Sequence, residues 1–251
     1  EFKNIKIFDG TGKKLCAGEV LVQGNMIQKV ANGTKKIRAS NVKVVDGGGA
    51  TLMPGLIEPH AHVCYTDCTQ LPQVGQVPPE DHMLIAVRNA KTMLDQGFTA
   101  LFSAAGVAKI RLEVALKETI NAGHFPGPRL LAASPEITST GGLGDERLLH
   151  LHQESIGLIA DGRDEMIRAV RLCAREGVDN IKINISGDQF ARGAGMETLS
   201  YTDEEVAACV EAANERKLNV LTHARSDGSI RMALKHNINI LYHADFITPK
   251  T

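Results

Sequence analysis

Tryptophan is absent, and three tyrosines and seven phenylalanines supply the aromatic rings of 251 residues. So thin a supply argues against a surface that reads nucleic acid by stacking bases on rings. An excess of either charge is missing too: 28 Lys and Arg stand against 29 Asp and Glu, a net charge of −1 at pH 7. No global field therefore draws the chain to nucleic acid or to an anionic membrane. No apolar run approaches the roughly 18 residues of a membrane span. The opening Glu1-Phe2-Lys3-Asn4 lacks the apolar core of a signal peptide. Cysteine is scarce and odd in number, at Cys16, Cys64, Cys68, Cys173 and Cys209. Free thiols in a reducing compartment, the cytoplasm, are expected. Cys64 and Cys68 make half of a zinc-knuckle spacing without a second half, so loop or core thiols are the simpler reading. There is no P-loop lysine, no G-x-G-x-x-G opening a helix after the first strand, and no G-x-S-x-G elbow. Phosphate-loop nucleotide binding and serine or cysteine nucleophiles are thereby disfavoured.

What is present is an ordinary globular balance, 43% hydrophobic and 23% charged, long enough for one large domain or two smaller ones. Residues 1–50 hold short β-rich runs, Asn4–Phe8, Glu19–Val22, Met26–Val30 and Val42–Val45, separated by Gly and Asn turn signals. They predict a small antiparallel module with hairpins. From residue 51 strand and helix alternate. Strand-like runs are Thr51–His62, Phe98–Ala104, Arg129–Ser134, Asn180–Ser186, Asn219–Ala224 and Ile238–Ala244. Met83, Val87, Ala90 and Leu94 mark a helix that Gly97 ends; Ile167, Val170 and Ala174 mark another that Gly177 ends. Thr202 and Glu205 spell a capping box, and Ser226 or Asp227 opens a last helix. This α/β alternation implies parallel strands with right-handed crossovers. An open doubly wound sheet and a (β/α)8 TIM-type barrel compete. Only about six βα units are counted where a barrel needs eight, so the chain is either an open sheet or a piece of a longer one.

The placement of ionisable residues favours the barrel. His60 and His62 end the first apolar run, one residue apart, so in a strand both imidazoles point to one side and can reach one metal ion. Lys182 alternates with isoleucines in Asn180–Ser186, sharing a face with Asn184. A lysine facing a barrel interior must be discharged, paired or modified. Discharged, it can add carbon dioxide and become a carbamate able to bridge two cations. His223 and His243 each close an apolar run of their own. Each residue alone has a bland reading as a core histidine or a snorkelling lysine. Polar ligands at the ends of four separate strands are much harder to produce by chance, and in a barrel all those ends face one mouth. Leu149-His150-Leu151-His152 is a second H-x-H without the apolar lead-in, and is read as a decoy. Thr140–Asp145, with Gly142 at its centre, is read as a mobile glycine-rich lid. Arg192 and Arg225 are candidates to hold a substrate carboxylate, and Tyr242 and Gly142 to contact substrate.

Met53–His62, Lys182, His223 and His243 together resemble the amidohydrolase superfamily. Phe8–Gly12, Asp46–Gly49, Tyr201–Glu205 and His223–Ser226 extend the likeness over essentially the whole chain. Its finer pattern is similar to the imidazolonepropionase-like and prolidase-like branch, which includes Xaa-Pro and Xaa-Arg dipeptidases. The resemblance implies residues 1–50 as an incomplete β-sandwich module and residues 51–251 as barrel strands one to six. It also implies His60 and His62 on a more buried metal, and a carboxylated Lys182 bridging to a second metal held by His223 and His243. Two zinc ions per chain are expected, with cobalt, manganese and iron as alternatives. The family closes its site with an Asp after strand eight, which lies beyond this sequence; the chain is therefore expected to be part of a longer one, inactive alone. Leu143 stands where dipeptidase-like relatives often carry histidine, a departure that weakens transfer of dipeptide specificity. The implied reaction is hydrolysis of an amide-type C–N bond in a dipeptide, N-acyl amino acid, urea, carbamate or lactam. Lys182, His223 and His243 would take part in it directly. A deaminase, an ester or phosphotriester hydrolase, and a non-catalytic scaffold are the rivals. The expected partner is a small molecule, with no nucleic acid and no membrane, and a homo-oligomer is expected.

Overall fold

The computed structural model describes residues 1–251 except Ala108, His152, Glu154 and the side chain of Ile110. The chain divides into two compact units, Glu1–Leu56 and Ile57–Thr251.

In the first unit, β1 (Phe2–Ile7), β2 (Cys16–Gln23) and β3 (Met26–Asn32) follow the β-branched runs and pair antiparallel in the order β3-β2-β1. The expectation of a purely antiparallel module needs correction. β4 (Val45–Asp46) and β5 (Thr51–Leu52) both pair parallel to β1. Residues 33–44 carry the chain back across the module, so it returns in the same direction as β1. Val20 and Ala31 are buried, while the short β4 is exposed.

The second unit is built of β-strands and intervening helices. β6 (Leu56–Ala61) begins after Pro54-Gly55; proline lacks the N–H that would continue a ladder, which splits the predicted run Thr51–His62 between β5 and β6. Then come α1 (Leu71–Gln76), α2 (Pro79–Asp95), β7 (Phe98–Ser103) and α3 (Ile110–Asn121). The predicted strand Arg129–Ser134 is interrupted at Ala132, whose N–H donates to the Asp179 carboxylate at 2.7 Å; this leaves β8 (Arg129–Leu131) and β9 (Ala133–Thr138). After β10 (Leu158–Ile159), α4 (Gly162–Glu176) leads to β11 (Asn180–Asn184), α5 (Asp203–Asn214) to β12 (Asn219–Ala224), and α6 (Asp227–Lys235) to β13 (Ile240–His243).

Local signals behave as their chemistry requires. Gly97 and Gly177 take φ of +95° and +91° directly beyond α2 and α4, a conformation that strains any residue with a Cβ. Thr202 and Glu205 cap α5 reciprocally, and the Ser226 hydroxyl accepts from the Ser229 N–H at the start of α6.

Strand order among the described residues is β6-β7-β8 in one sheet and β10-β9-β11-β12-β13 in the other. The pairs β7–β8, β9–β11, β11–β12 and β12–β13 are all parallel. Ile181, Ile183 and Val220 pack with Val170 and Cys173 of α4 and Val206 and Cys209 of α5. Ile181 and Ile183 are wholly removed from water, a contribution of ~1.5–3 kcal/mol each. A second apolar cluster joins Ala61 and Leu101 to Ala86 and Ala90 of α2 and Leu112 and Leu116 of α3. These layers cover the helix side of each strand. The polar residues between them, Glu136, Lys182, Asn184 and His223, share the other side, where Lys182 is in register with Glu136 and Asn184 with His223.

Candidate active site

His60 lies in β6 and His62 directly follows it; His223 is in β12, and His243 ends β13. Ring centroids are 5.2 Å apart for His60 and His62, 5.1 Å for His60 and His243, and 4.5 Å for His223 and His243. The four rings therefore form one continuous group although 183 positions separate His60 from His243 in sequence. Tyr242 stacks on His60 at 4.0 Å and donates its hydroxyl to the Pro59 carbonyl at 2.9 Å. Lys182, 1% exposed, places Nζ 5.4 Å from the Tyr242 ring centre. His243 and Ala244 sit at φ of +75° and +54°, left-handed backbone that is costly for residues with a Cβ. The Ala244 N–H holds that turn in place by donating to the Ala224 carbonyl at 3.0 Å.

Burial dominates the electrostatics. It lowers the Lys182 amine from its ordinary value, opposed by the charge of Glu136. Burial, then the positive Lys182, lowers His60 to about 4, His62 to about 3 and His223 to about 2. His243 is lowered by burial and then by Arg225. All four imidazoles are thus held neutral at pH 7, the state in which a ring nitrogen can donate its lone pair to a cation.

Residues that sequence reasoning missed complete the surroundings. Asp188, 4% exposed, lies in the loop after β11. Its Oδ2 accepts from Arg225 Nε at 2.6 Å and lies 3.4 Å from His223 Nε2, while Oδ1 is buried without a hydrogen bond. His223 Nε2 also meets the Gly187 carbonyl at 3.1 Å. Glu136, 7% exposed, accepts from Asn184 Nδ2 at 3.0 Å. Tyr65 stacks on His62 at 4.4 Å. Asp188 left one sequence signal, an acid just beyond the polar face of an apolar strand. Tyr65 left none.

The other expected site residues are placed differently. Arg225 also donates to Asp245, so two carboxylates engage its guanidinium. Burial opposes its charge, but Asp188 and then Asp245 outweigh that and raise its pKa. Arg192 is exposed and lines a cavity with Tyr65 and Glu146. Gly142 is buried, and a side chain there would come within 2.4 Å of Thr138 Oγ1. His150 of the second H-x-H is exposed; its partner His152 lies outside the described residues. The five cysteines are free thiols, and buried Cys64 donates to Glu113 Oε1 at 3.5 Å.

Among the described residues no three His, Cys, Asp or Glu side chains are already arranged to hold a metal ion. The histidines meet through ring contacts. The donor chemistry nonetheless fits a borderline cation: neutral imidazoles, an amine whose pKa burial lowers, and a buried His62 Nδ1 with no hydrogen-bond partner.

A mixed α/β chain that gathers four imidazoles and one buried amine from its strands has the side-chain set of a hydrolase site. The sequence pattern of the Amidohydrolase family matches residues 51–246, and the chain belongs to that family. Ochratoxinase of Aspergillus niger is 29% identical over 216 residues, covering 78% of this chain and 43% of that protein. The crystal structure of an amidohydrolase matches at 30% identity and a TM-score of 0.88, covering 99% of this chain and 62% of that one. A Xaa-Pro dipeptidase crystallised with methionine in its active site matches at 26% identity and a TM-score of 0.85, covering 98% of this chain and 62% of that one. The chain thus spans less than half of the ochratoxinase and about three-fifths of each of the two structures.

Proposed function

We propose that this protein is a metal-dependent hydrolase of an amide-type C–N bond. The observation that carries the reading is the group of four neutral histidines around a buried lysine, drawn from four strands of one family-matched unit. Strand order supports a (β/α)8 TIM-type barrel for residues 51–251. β6-β7-β8 and then β9-β11-β12-β13 follow chain order, with the two-residue β10 added outside β9; successive neighbours in chain order suit a barrel better than a doubly wound sheet. Residues 1–50 are read as part of a β-sandwich.

His60 and His62 would hold one ion, and His223 and His243 a second, with zinc favoured. Lys182, whose pKa burial lowers from its ordinary value, would bridge them as a carbamate. Such ions supply an acidified water as nucleophile and a Lewis-acid contact for the carbonyl oxygen. The chain's own groups do the rest. Asp188 orients the His223 ring through Nε2 and ties it to Arg225. Tyr242 packs flat on His60 and fixes its plane. Arg225 is engaged by two carboxylates, which leaves exposed Arg192 as the better candidate to hold a substrate carboxylate.

The test is metal analysis of the full-length protein with a panel of dipeptides, N-acyl amino acids, ureas, carbamates, esters and aminopurines. About two ions per chain are expected, with amide turnover lost on chelation and restored by zinc. Lys182→Ala should lose activity by roughly a hundredfold or more, with partial rescue by a short carboxylic acid standing in for the carbamate. Below about 0.5 ion per chain, with chelator-resistant turnover, the reading fails.

A further inference from the structure

A cavity of about 470 Å³ opens at Tyr65, the neighbour of His62. Tyr65 belongs to both places: one face of its ring stacks on His62, and the residue forms part of the cavity wall. Leu71, Pro72 and Phe190 give that wall an apolar side, and Glu146 and Arg192 give it two opposite charges.

Glu146 is the anomaly. It is 6% exposed, yet among the described residues its carboxylate takes part in no hydrogen bond or ion pair; only its backbone carbonyl is used, by Gln153. Its carboxylate oxygens are not sealed from solvent, and Glu146 lines the cavity, so a ligand's donor can reach them. Burial pushes its pKa up, and the charge of Arg192 pulls it back down without forming an ion pair. Arg192, exposed, has no ion pair of its own among the described residues. Two opposite charges therefore face one space and do not neutralise each other. A ligand with one charge satisfies one of them. A ligand carrying an ammonium and a carboxylate satisfies both.

We propose that this cavity binds the zwitterionic end of an amino acid, with the ammonium on Glu146 and the carboxylate on Arg192. The substrates are then amino acids acylated on a side-chain nitrogen. This assignment rests on the amide-hydrolase reading above. The apolar side of the cavity accommodates the methylene stem, and its volume is in the range of small-molecule sites. The amide reaches past Tyr65 to the histidines. There water adds across the C–N bond: its oxygen joins the acyl carbon, the C–N bond breaks, and the nitrogen takes a proton. A carboxylic acid and a free amino acid leave.

The experiment is titration calorimetry of the full-length, metal-loaded protein with Nε-methylsulfonyl-L-lysine, whose sulfonamide resists hydrolysis. Its Nα-acetyl derivative removes the ammonium, and its methyl ester removes the carboxylate. The parent should bind at least about tenfold more tightly than either derivative, the scale of one charge-assisted contact. Glu146→Gln should erase the preference over the Nα-acetyl derivative and Arg192→Gln the preference over the ester. Equal affinity of the three ligands, or variants that keep both preferences, overturns the assignment. Arg192 is exposed, so its variant remains readable if Glu146→Gln does not fold. Because the probe is not cleaved, the two readings fail separately. Amide turnover without these preferences removes the zwitterion site alone. These preferences without turnover of any amide remove the hydrolase reading alone.

Discussion

Lys182 carries a basic amine into a place that water does not reach, and Glu113 does the same with a carboxyl group. Both are wholly or almost wholly buried. Glu113 sits on α3 and accepts from Cys64 Sγ and, at 3.4 Å, from the Ala133 N–H. Burial raises its pKa from 4.5 to about 7. The folded state therefore prefers the protonated acid. As pH climbs from about 4.5 to about 7, the unfolded chain gives up this proton while the folded chain keeps it, so stability falls across that window and levels off above it. The loss is about 3 kcal/mol. Urea titrations at pH 5, 6, 7 and 8 should show Glu113→Gln gaining on the parent by that order; a difference independent of pH would refute the shift. Individual residues were unequally legible in the sequence. His60, His62, Lys182, His223 and His243 stood out because ionisable groups closing apolar runs are unusual. Asp188, Glu136, Glu146 and Tyr65 did not, because their importance lies in what they face across the fold.

Elements were legible where local chemistry decides. The capping box at Thr202 and Glu205 starts α5, and Glu205 also accepts from the Gly162 N–H at 2.6 Å, linking α5 to α4. Thr202→Ala should cost about 1 kcal/mol and lower the thermal midpoint by about 2–4 °C. An unchanged midpoint in scanning calorimetry would mean the cap is redundant. Where tertiary bonds compete, local reading failed. Ala132 is drawn out of its strand by Asp179, which is 47 residues away. β4 and β5 run parallel to β1 because of a return path that periodicity does not encode. Strand ends near the site were also read too long, since the N–H groups of Ile185 and Ser186 turn to a single acceptor, the His223 carbonyl.

At the scale of the whole molecule, the proposed ligation would couple to folding. The imidazoles come from strands spread over most of the second unit, so ions bound by these pairs would stabilise the folded chain over the unfolded one. Removing metal from the full-length protein should lower its melting midpoint, and zinc at a hundredfold its dissociation constant should restore about 2.7 kcal/mol. In a His60→Ala, His62→Ala double variant the zinc-dependent shift should shrink markedly; differential scanning fluorimetry reads both, and an undiminished shift would place the ion elsewhere. Among the described residues no helix is long and apolar enough to cross a membrane. By itself the sequence determined the α/β alternation, the helix ends and the five conspicuous ionisable residues, because periodicity, caps and the closing of apolar runs by ionisable groups are local properties. Only the tertiary structure decided that four rings meet within about 5 Å steps, that Asp188 stands behind His223, and that Glu146 and Arg192 face one cavity. Those facts depend on which strands lie side by side, and long-range pairing is set by the packing of the whole chain rather than by any segment of it.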